Sequence, residues 1–365
     1  MSGPLAGIRI VEISAVGPVA LFGSIMADLG ATILRVDRPA HFEGRKEGAH
    51  AGNRPVVERD LKDPESVRFV LDLVRGADAL IEGYRPGVME RLGLGPDVCL
   101  AANPQLVFAR MTGWGQDGPM AAEPGHDINY LALTGALAAI GTPEQPVPPL
   151  NLVADYGGGS MFACLGVLAA LLAAQRSGRG QVLDVAMIDG VGSLFSMQYE
   201  RLNQGLWNNR RQSNTLDGAC PYYGCYQCRD GKWLAAGALE MKFRRAFAEI
   251  IDVPELGEES SSDPANWPAL RTRVAAAVGG ATRDEWMARM QGRETCCTPV
   301  LDMAEAPHHP HNVARAGFLA DGNGWVPAPA PRFSATPEAR LAARSADDVL
   351  AEFAAAAESR DARAG

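Results

Sequence analysis

The sequence lacks the features that mark secreted, membrane-spanning and nucleic-acid-binding proteins. Its first residues, Met1 to Gly7, have neither the basic start nor the apolar run of a secretory signal. The longest apolar run, Met161 to Ala174, is too short to span a bilayer and predicts a buried helix. The net charge of −9, from 34 basic and 43 acidic side chains, argues against general binding to nucleic acid or membranes.

Cysteine is also too sparse for a disulfide scaffold, since seven cysteines are spread over 365 residues. We therefore expect a reducing compartment and a cytoplasmic protein. Cys225 and Cys228 form a single C-x-x-C on a predicted strand, where residues three apart point to opposite faces. Pro310 interrupts a histidine cluster at residues 308–311. We predict no metal site.

The phosphate-binding glycine motifs are missing as well. Gly17, Gly23 and Gly30 do not form G-x-G-x-x-G, and no Walker-type lysine loop occurs. Asp37 and Arg38, at the end of a predicted strand, could still hold a ribose hydroxyl and a phosphate. From this stretch alone, a solvated charged loop is the more ordinary interpretation.

The first half of the chain alternates apolar strands with amphipathic helices, which predicts an α/β protein with a parallel sheet. We expect a Rossmann-like large domain over residues 1–190, to which the segment 325–365 returns. A linker covers 191–218, and a second linker covers 307–324. Between them, residues 219–306 form a smaller α+β domain, which opens with a hairpin around Arg229-Asp230-Gly231.

Several basic residues fall at strand ends or in loops, on the rim of a parallel sheet where ligands usually bind. A local cluster of cations in an acidic protein suits a ligand with several phosphates, and coenzyme A is one such ligand. The residues are Arg38, Arg59, Lys62, Arg85 and Arg91.

Three further residues are candidates for proton chemistry. His126 follows a glycine at a predicted helix start, where it could face a cleft or could equally be a capping or core histidine. Asp155 precedes three glycines just before the central helix, and its ordinary interpretation is an N-cap. Glycines cost stability at a helix start and offer no packing, so we favour a functional role for Asp155. Glu240 ends an apolar strand and is either an orienting acid or a surface carboxylate.

Taken together, these motifs resemble the family III CoA-transferase superfamily of CaiB/BaiF type, and most closely its bacterial α-methylacyl-CoA racemases. The points of resemblance run in the expected order over roughly residues 3 to 335. They are GPLAGIRIVE, LIEGYRPGVMERLGLGP, ARMTGWGQDGP, GHDINY, PVPPLNLVADYGGGSMF and GALE.

The resemblance implies an interlocked homodimer whose active site lies between one large domain and the partner's small domain. His126 and Asp155 would be the two acid/base residues, and the partner subunit's Glu240 would hydrogen-bond His126. The remaining positions would bind the coenzyme A part of the substrate, so no separate cofactor is expected. They are Arg38, Lys62, Arg85 and Arg91 around the nucleotide, Asp127 near the pantetheine arm, and with them Arg59, Met111 and Tyr130.

The function implied is racemisation of 2-methylacyl-CoA thioesters, a reaction of branched fatty acids, by two-base proton transfer through an enolate. Backbone N–H groups at the glycine-rich helix start could stabilise the enolate oxygen. The alternative within the superfamily is a CoA-transferase in which Asp155 is the nucleophile. A non-catalytic CoA-thioester-binding protein would need only the basic rim. Met111, Met187, Met197 and Met241 could form a pliable acyl surface or could be core residues.

Overall fold

The computed structural model describes residues 3–15, 17–39, 54–322, 324–336 and 344–364. The chain divides into two compact units. The first comprises residues 1–136, 149–196 and 329–365, and the second comprises residues 137–148 and 197–328. The chain therefore leaves the first unit twice and returns to it twice.

The elements follow one another in chain order. Those up to residue 203 are β1 Arg9–Ile13, α1 Pro18–Asp28, β2 Thr32–Asp37, β3 Val56–Glu58, α2 Pro64–Gly76, β4 Ala79–Glu82, α3 Val88–Arg91, α4 Pro96–Ala102, β5 Val107–Thr112, α5 Asp127–Leu133, α6 Ala136–Ala139, a π-helix Leu152–Met161, α7 Phe162–Ser177, β6 Gln181–Ala186, α8 Met187–Leu194 and α9 Ser196–Asn203. The later ones are β7 Tyr223–Gln227, β8 Trp233–Gly237, α10 Met241–Ile251, the 3₁₀ turns Pro254–Gly257, Glu259–Ser262 and Pro264–Asn266, α11 Trp267–Val278, α12 Arg283–Met290, β9 Cys297–Val300, a 3₁₀ turn Ala306–His308, α13 Pro310–Ala314, β10 Phe318–Asp321, β11 Gly324–Pro327 and α14 Ala346–Ala364.

The first unit contains a six-stranded parallel sheet with the order β3-β2-β1-β4-β5-β6. Its strands are runs of Val, Ile and Leu, and Ile10, Val11 and Ile13 of β1 are fully buried, as expected for a sheet covered on both faces. The prediction of a parallel sheet is confirmed. The order is that of a dinucleotide-binding fold and reverses between β1 and β4, so ligands are expected at the carboxyl ends of those strands.

The sequence of residues 346–364 is rich in alanine and charge and predicts no particular element. They form α14, whose Val349 and Phe353 are buried in the same core cluster as Val70 and Val74 of α2. Arg360 also donates to the carbonyl of Ala77 at 2.6 Å. The alanine-rich composition hid this helix because few of its side chains contact the core: Val349 and Phe353 are buried, and Leu350 packs against them partly buried.

The sequence predicts one helix from Gly190 to Leu206, and the structure has two, α8 and α9. Phe195 separates them with a non-helical backbone. The expected linker at 191–218 is therefore helical in its first part. Residues 204–222, which follow α9, contain no helix or strand.

The central helix extends further than the apolar run suggests. The π-helix and α7 form one helical stretch, Leu152–Ser177, of 26 residues, which by length and composition alone is able to cross a membrane. Half of its most apolar window is buried in the chain. Val167 and Ala170 of α7 are buried, whereas Leu165 and Leu172 are exposed. A core helix of a folded α/β unit passes the same test, so the stretch is weak support for a membrane span.

The second unit has a three-stranded antiparallel sheet in the order β7-β8-β9. The predicted hairpin is present, with β7 and β8 joined by a turn in which Gly231 adopts a φ of 78°. The sequence predicts helices over Met241–Ile251 and Arg283–Met290, and α10 and α12 have these bounds. Phe247 of α10 and Trp286 of α12 pack into one buried cluster with Leu234 of β8.

Candidate active site

A cleft of about 410 Å³ opens at the carboxyl edge of the parallel sheet, beside the reversal of strand order. Its lining comes from the segments that follow β2, β3 and β4. The lining residues are Arg38, Pro39, Asp60, Leu61, Lys62, Tyr84, Val88, Arg91 and Leu92. A basic cleft at this position is suited to a phosphorylated ligand.

Three of the five predicted basic residues, Arg38, Lys62 and Arg91, line this cleft. The guanidinium of Arg38 lies over the Tyr84 ring, 5.3 Å from its centroid. Arg59 and Arg85 are not in the lining. The Arg59 guanidinium instead lies over the ring of Phe69, 4.2 Å from its centroid.

His126 is the N-cap of α5, as its position after Gly125 predicts, and it is exposed. Its backbone N–H donates to Oδ1 of Asn129 at 3.0 Å, and its carbonyl accepts from the Asn129 N–H at 2.8 Å. This reciprocal pair fixes the start of the helix, so His126 has a defined backbone while its imidazole remains accessible.

Asp127 joins α5 to the π-helix. Its Oδ2 accepts hydrogen bonds from the backbone N–H groups of Ala154 and Asp155, at 2.9 and 2.8 Å. The side chain is 7% exposed, and its Oδ1 has no hydrogen-bond partner among the described residues. Because Asp127 adjoins His126, this bridge brings the segment that carries His126 to the segment that carries Asp155.

Asp155 lies inside the π-helix rather than just before a helix, so its ordinary interpretation as an N-cap does not hold. Burial, the largest cause, and the Asp127 carboxylate together raise the pKa of its carboxyl to about 6, against the opposing charge of His126. A carboxyl with this pKa can both accept and donate a proton near neutral pH. A Cβ built on Gly17, at the start of α1, would lie 3.6 Å from Oδ2 of Asp155.

The glycines after Asp155 are packing residues, contrary to the expectation that they offer no packing. A Cβ on Gly158 would lie 2.7 Å from the Met187 carbonyl oxygen, and one on Gly159 would lie 3.1 Å from the Met187 side chain. The glycines let α8 approach the π-helix closely. The N–H groups of Ala154 and Asp155 are already bound to Asp127, so they are not free to bind an enolate.

Tyr130 is buried and shapes the loop before His126. Its hydroxyl donates to the Gly125 carbonyl at 2.6 Å, and its ring meets Trp114 edge-on with centroids 4.8 Å apart. Burial raises the pKa of this hydroxyl to about 12, and the carboxylates of Asp155 and Asp127 contribute to the rise, whereas Arg85 opposes it. The hydroxyl therefore remains protonated and holds Gly125 in place. Any contact of Tyr130 with substrate stays a prediction.

Met111 is 1% exposed at the end of β5, as a core residue would be.

Glu240 belongs to the second unit, where it is the exposed N-cap of α10, three residues beyond β8. Within the described part of the chain, its carboxylate has no ion-pair partner. Its role stays a prediction.

Sequence reasoning missed Tyr84, the buried residues Glu82 and Arg110, and the exposed Glu90 that pairs with Arg110. Tyr84 had an available signal, because it adjoins Arg85 just after a strand.

Across the described residues, no group of three or more His, Cys, Asp or Glu side chains could hold a metal ion. All seven cysteines are free thiols.

A family model described as CoA-transferase family III matches residues 5–346 of this chain. The chain belongs to that family. The matched range, residues 5–346, covers parts of both units and includes the cleft residues, His126, Asp155 and Glu240.

Among curated relatives within the family, α-methylacyl-CoA racemase of Mus musculus is 40% identical, over 93% of this chain and 89% of its own. The Homo sapiens enzyme of the same name is 38% identical, over 91% and 87%. The succinyl-CoA–L-malate CoA-transferase alpha subunit of Chloroflexus aurantiacus is 32% identical, over 92% and 84%. Family membership alone therefore does not separate racemases from transferases.

A crystal structure of a CaiB/BaiF family protein from Brucella suis has the same fold, with a TM-score of 0.79 and 23% identity. The alignment covers 99% of this chain and all of that one. The protein Rv3272 of Mycobacterium tuberculosis gives a TM-score of 0.77 at 24% identity over 95% of this chain and 98% of its own.

Proposed function

We propose that this protein interconverts the R and S forms of 2-methylacyl-CoA thioesters, with His126 and Asp155 as the two acid/base groups. The observation that carries the proposal is the bridge from Asp127 to the backbone of Asp155, at 2.8 Å. Through this bridge, Asp127 holds the backbone next to His126 close to the backbone of Asp155, whose carboxyl has a raised pKa. Two relatives at 38–40% identity are named α-methylacyl-CoA racemase, which supports the same activity.

In the proposed reaction, one group removes the α-proton and the C–H electron pair enters the enolate. The other group returns a proton to the opposite face of the same carbon. Protons and electrons balance, so CoA enters only as part of the substrate and we propose no separate cofactor. One general base contributes about 10²–10⁴-fold, so the enolate oxygen also needs a hydrogen-bond donor. The first N–H groups of α5, which lack helical acceptors, are candidates beside His126.

The cleft at the sheet edge is the proposed site of the nucleotide end of the substrate. Arg38, Lys62 and Arg91 supply three cations to a diphosphate and a 3′-phosphate. We place Arg85 nearer the reacting end, because its charge acts on the Tyr130 hydroxyl. Asp127, with its unpartnered Oδ1, would accept a hydrogen bond from an amide of the pantetheine arm. Arg59 and Met111 have no contact that supports a direct role.

We further propose an interlocked homodimer in which the partner subunit's Glu240 orients His126. The exposed carboxylate of Glu240 is consistent with a role toward a second chain. Helix α7 and its neighbourhood also expose large apolar side chains that a second copy would cover. They are Met161, Leu165, Leu172 and Leu194, each at least 53% exposed. We propose a cytoplasmic enzyme acting on branched fatty acyl groups.

The deciding experiment is incubation with one epimer of a 2-methylacyl-CoA in deuterated water, with no added cofactor. We expect loss of optical purity together with deuterium at C2, measured by chiral chromatography and mass spectrometry. Asp155→Asn is the matched control, since it keeps the shape of the side chain and removes the base.

A transferase would use the same Asp155 as a nucleophile, and the relative from Chloroflexus carries that name. The distinguishing result is transfer of CoA to a second carboxylic acid without exchange at C2. Binding of the thioester without exchange or transfer would instead indicate a non-catalytic binding protein. Either result overturns the racemase proposal.

A further inference from the structure

Beneath the cleft, Arg110 of β5 is buried and binds two carboxylates at once. Its Nε donates to Glu82 at 3.2 Å. Its two terminal nitrogens donate to the two oxygens of Glu90, at 2.8 and 3.2 Å. The residue is 8% exposed and is not in the lining of the cleft. Its three hydrogen bonds therefore act inside the protein.

Each carboxylate is connected to a different part of the cleft wall. Glu82, fully buried at the end of β4, accepts the backbone N–H of Tyr84 at 2.6 Å. Tyr84 lines the cleft and has the guanidinium of Arg38 over its ring. Arg110 therefore holds the backbone turn that presents Tyr84.

Glu90 belongs to α3, which has only four residues, Val88–Arg91. A helix of one turn is not stable by itself and needs tertiary contacts. Val88 and Arg91 line the cleft on either side of Glu90 in the sequence. The guanidinium of Arg91 folds back toward Gly87, whose built Cβ would lie 3.2 Å from it. The bidentate pair of Glu90 with Arg110 is thus an anchor of this turn.

We propose that Arg110 is a positioning residue for the nucleotide end of the substrate, which fixes Tyr84 through Glu82 and Arg91 through Glu90 without touching the ligand. The inference rests on the proposed function, since it requires a CoA nucleotide in the cleft. An arginine is needed because its planar fork presents donors to both carboxylates, whereas a lysine offers one point charge. Burial raises the pKa of Glu82 to about 7, and the hydrogen bonds from the Tyr84 N–H and Arg110 oppose that rise.

The test compares Glu90→Gln and Arg110→Lys with wild type on two substrates, a 2-methylacyl-CoA and the same acyl group on pantetheine. A hydrogen bond to a charged group is worth about 1.5–3 kcal/mol, so misplacing Arg91 should raise the apparent KM for the CoA thioester roughly 10-fold. We expect kcat to stay within about 2-fold, because the interaction is shared by ground and transition states. The KM for the pantetheine thioester should not change.

Asp78→Asn is the matched control. It removes two ion pairs just before β4, with Arg9 at 2.9 Å and with Arg360, at the opposite edge of the same sheet. Loss of Arg110 altogether would leave Glu82 buried without its ion pair and risks unfolding. Glu90→Gln avoids this, since the Glu90 side chain is 43% exposed. Thermal denaturation of all three variants separates lost stability from lost positioning.

The outcomes separate this inference from the proposed function. If Arg91→Ala raises the KM for the CoA thioester selectively and the Glu90 and Arg110 variants do not, the positioning role is wrong and the nucleotide site stands. If Asp78→Asn gives the same selective effect, the role is only structural and the inference is overturned. If wild type shows no α-proton exchange, direct titration with CoA still tests the positioning role of Arg110, because Glu90→Gln should weaken CoA affinity. Unchanged affinity would overturn it.

Discussion

The cleft and the His126–Asp155 region differ in how the chain builds them. The cleft takes Arg38 and Lys62 from the loops after β2 and β3 and Arg91 from α3, which follows β4, so the order of the strands brings all three to one edge of the sheet. The His126–Asp155 region joins segments nearly 30 residues apart through a single buried carboxylate, Asp127. The first depends on exposed charge and tolerates small shifts, whereas the second depends on backbone geometry. Substitutions should therefore affect binding in one region and chemistry in the other.

The largest effect expected is loss of proton transfer in the second region. His126→Ala and Asp155→Ala should each lower racemisation by about 10³-fold or more, because one of the two acid/base groups is removed. CoA affinity should change little, since neither side chain lines the cleft. Deuterium incorporation at C2 measures the first quantity, and calorimetric titration with CoA the second. Near-normal turnover in either variant would remove that residue from the mechanism.

The next largest effect is expected at Glu240. Its substitution tests whether the His126–Asp155 region needs a residue from a second chain. Glu240→Ala should lower activity by about 10- to 100-fold, because an orienting acid acts through the imidazole. Co-refolding Glu240→Ala chains with His126→Ala chains should give mixed dimers that have one intact site and one doubly defective site. Random pairing would restore roughly a quarter of all sites.

The matched control for this complementation is Glu240→Ala mixed with Asp155→Ala, which should recover activity to the same extent. Mass spectrometry must first establish that mixed dimers form. Recovery in neither mixture would mean that Glu240 serves its own chain or does not partner His126.

A smaller, substrate-selective effect is expected in the cleft. Arg91→Ala should raise the apparent KM for the CoA thioester roughly 10-fold with little change in kcat, from the loss of a charge-assisted contact. The same variant should leave the apparent KM for the pantetheine thioester nearly unchanged. Equal losses on the two substrates would place Arg91 outside the nucleotide site and blur the contrast between the regions.

The smallest effect is a shift along the pH axis. The pKa of Asp155 is raised to about 6, so below that pH the carboxyl is protonated and cannot accept the α-proton. The value of kcat/KM should therefore fall as pH decreases through about 6. Asp127→Asn removes a negative neighbour that raises this pKa, so the acid limb should move to lower pH.

Asn retains an acceptor for the N–H groups of Ala154 and Asp155, so Asp127→Asn is a near-isosteric test of charge. An unchanged acid limb would mean that burial alone sets the pKa of Asp155. A limb moved to higher pH would contradict the assignment of that pKa to Asp155.

Much of the fold could be predicted because it is encoded locally. The Val- and Ile-rich strand β1 and helix α2, with Asp63 accepting from the N–H groups of Glu65 and Ser66 and with Pro64 in its first turn, carry their signals in adjacent residues. His126 at a helix start is another local signal that the structure confirms. Helix α14 was missed because its composition resembles a solvated tail, and only contacts with α2 give it a buried face.

The sequence by itself determined the parallel sheet and the basic rim, because strand patterns are properties of short segments, and the resemblance of its motifs to a known family implied the acid/base residues. Only the tertiary structure decided that Asp155 lies in a π-helix, that Asp127 bridges to it, and that the absence of a side chain at Gly158 allows the close approach of α8. It also decided that Arg110 braces Glu82 and Glu90 beneath the cleft. These features join segments distant in the chain and depend on burial, which sets both the hydrogen-bond geometry and the pKa of a carboxyl.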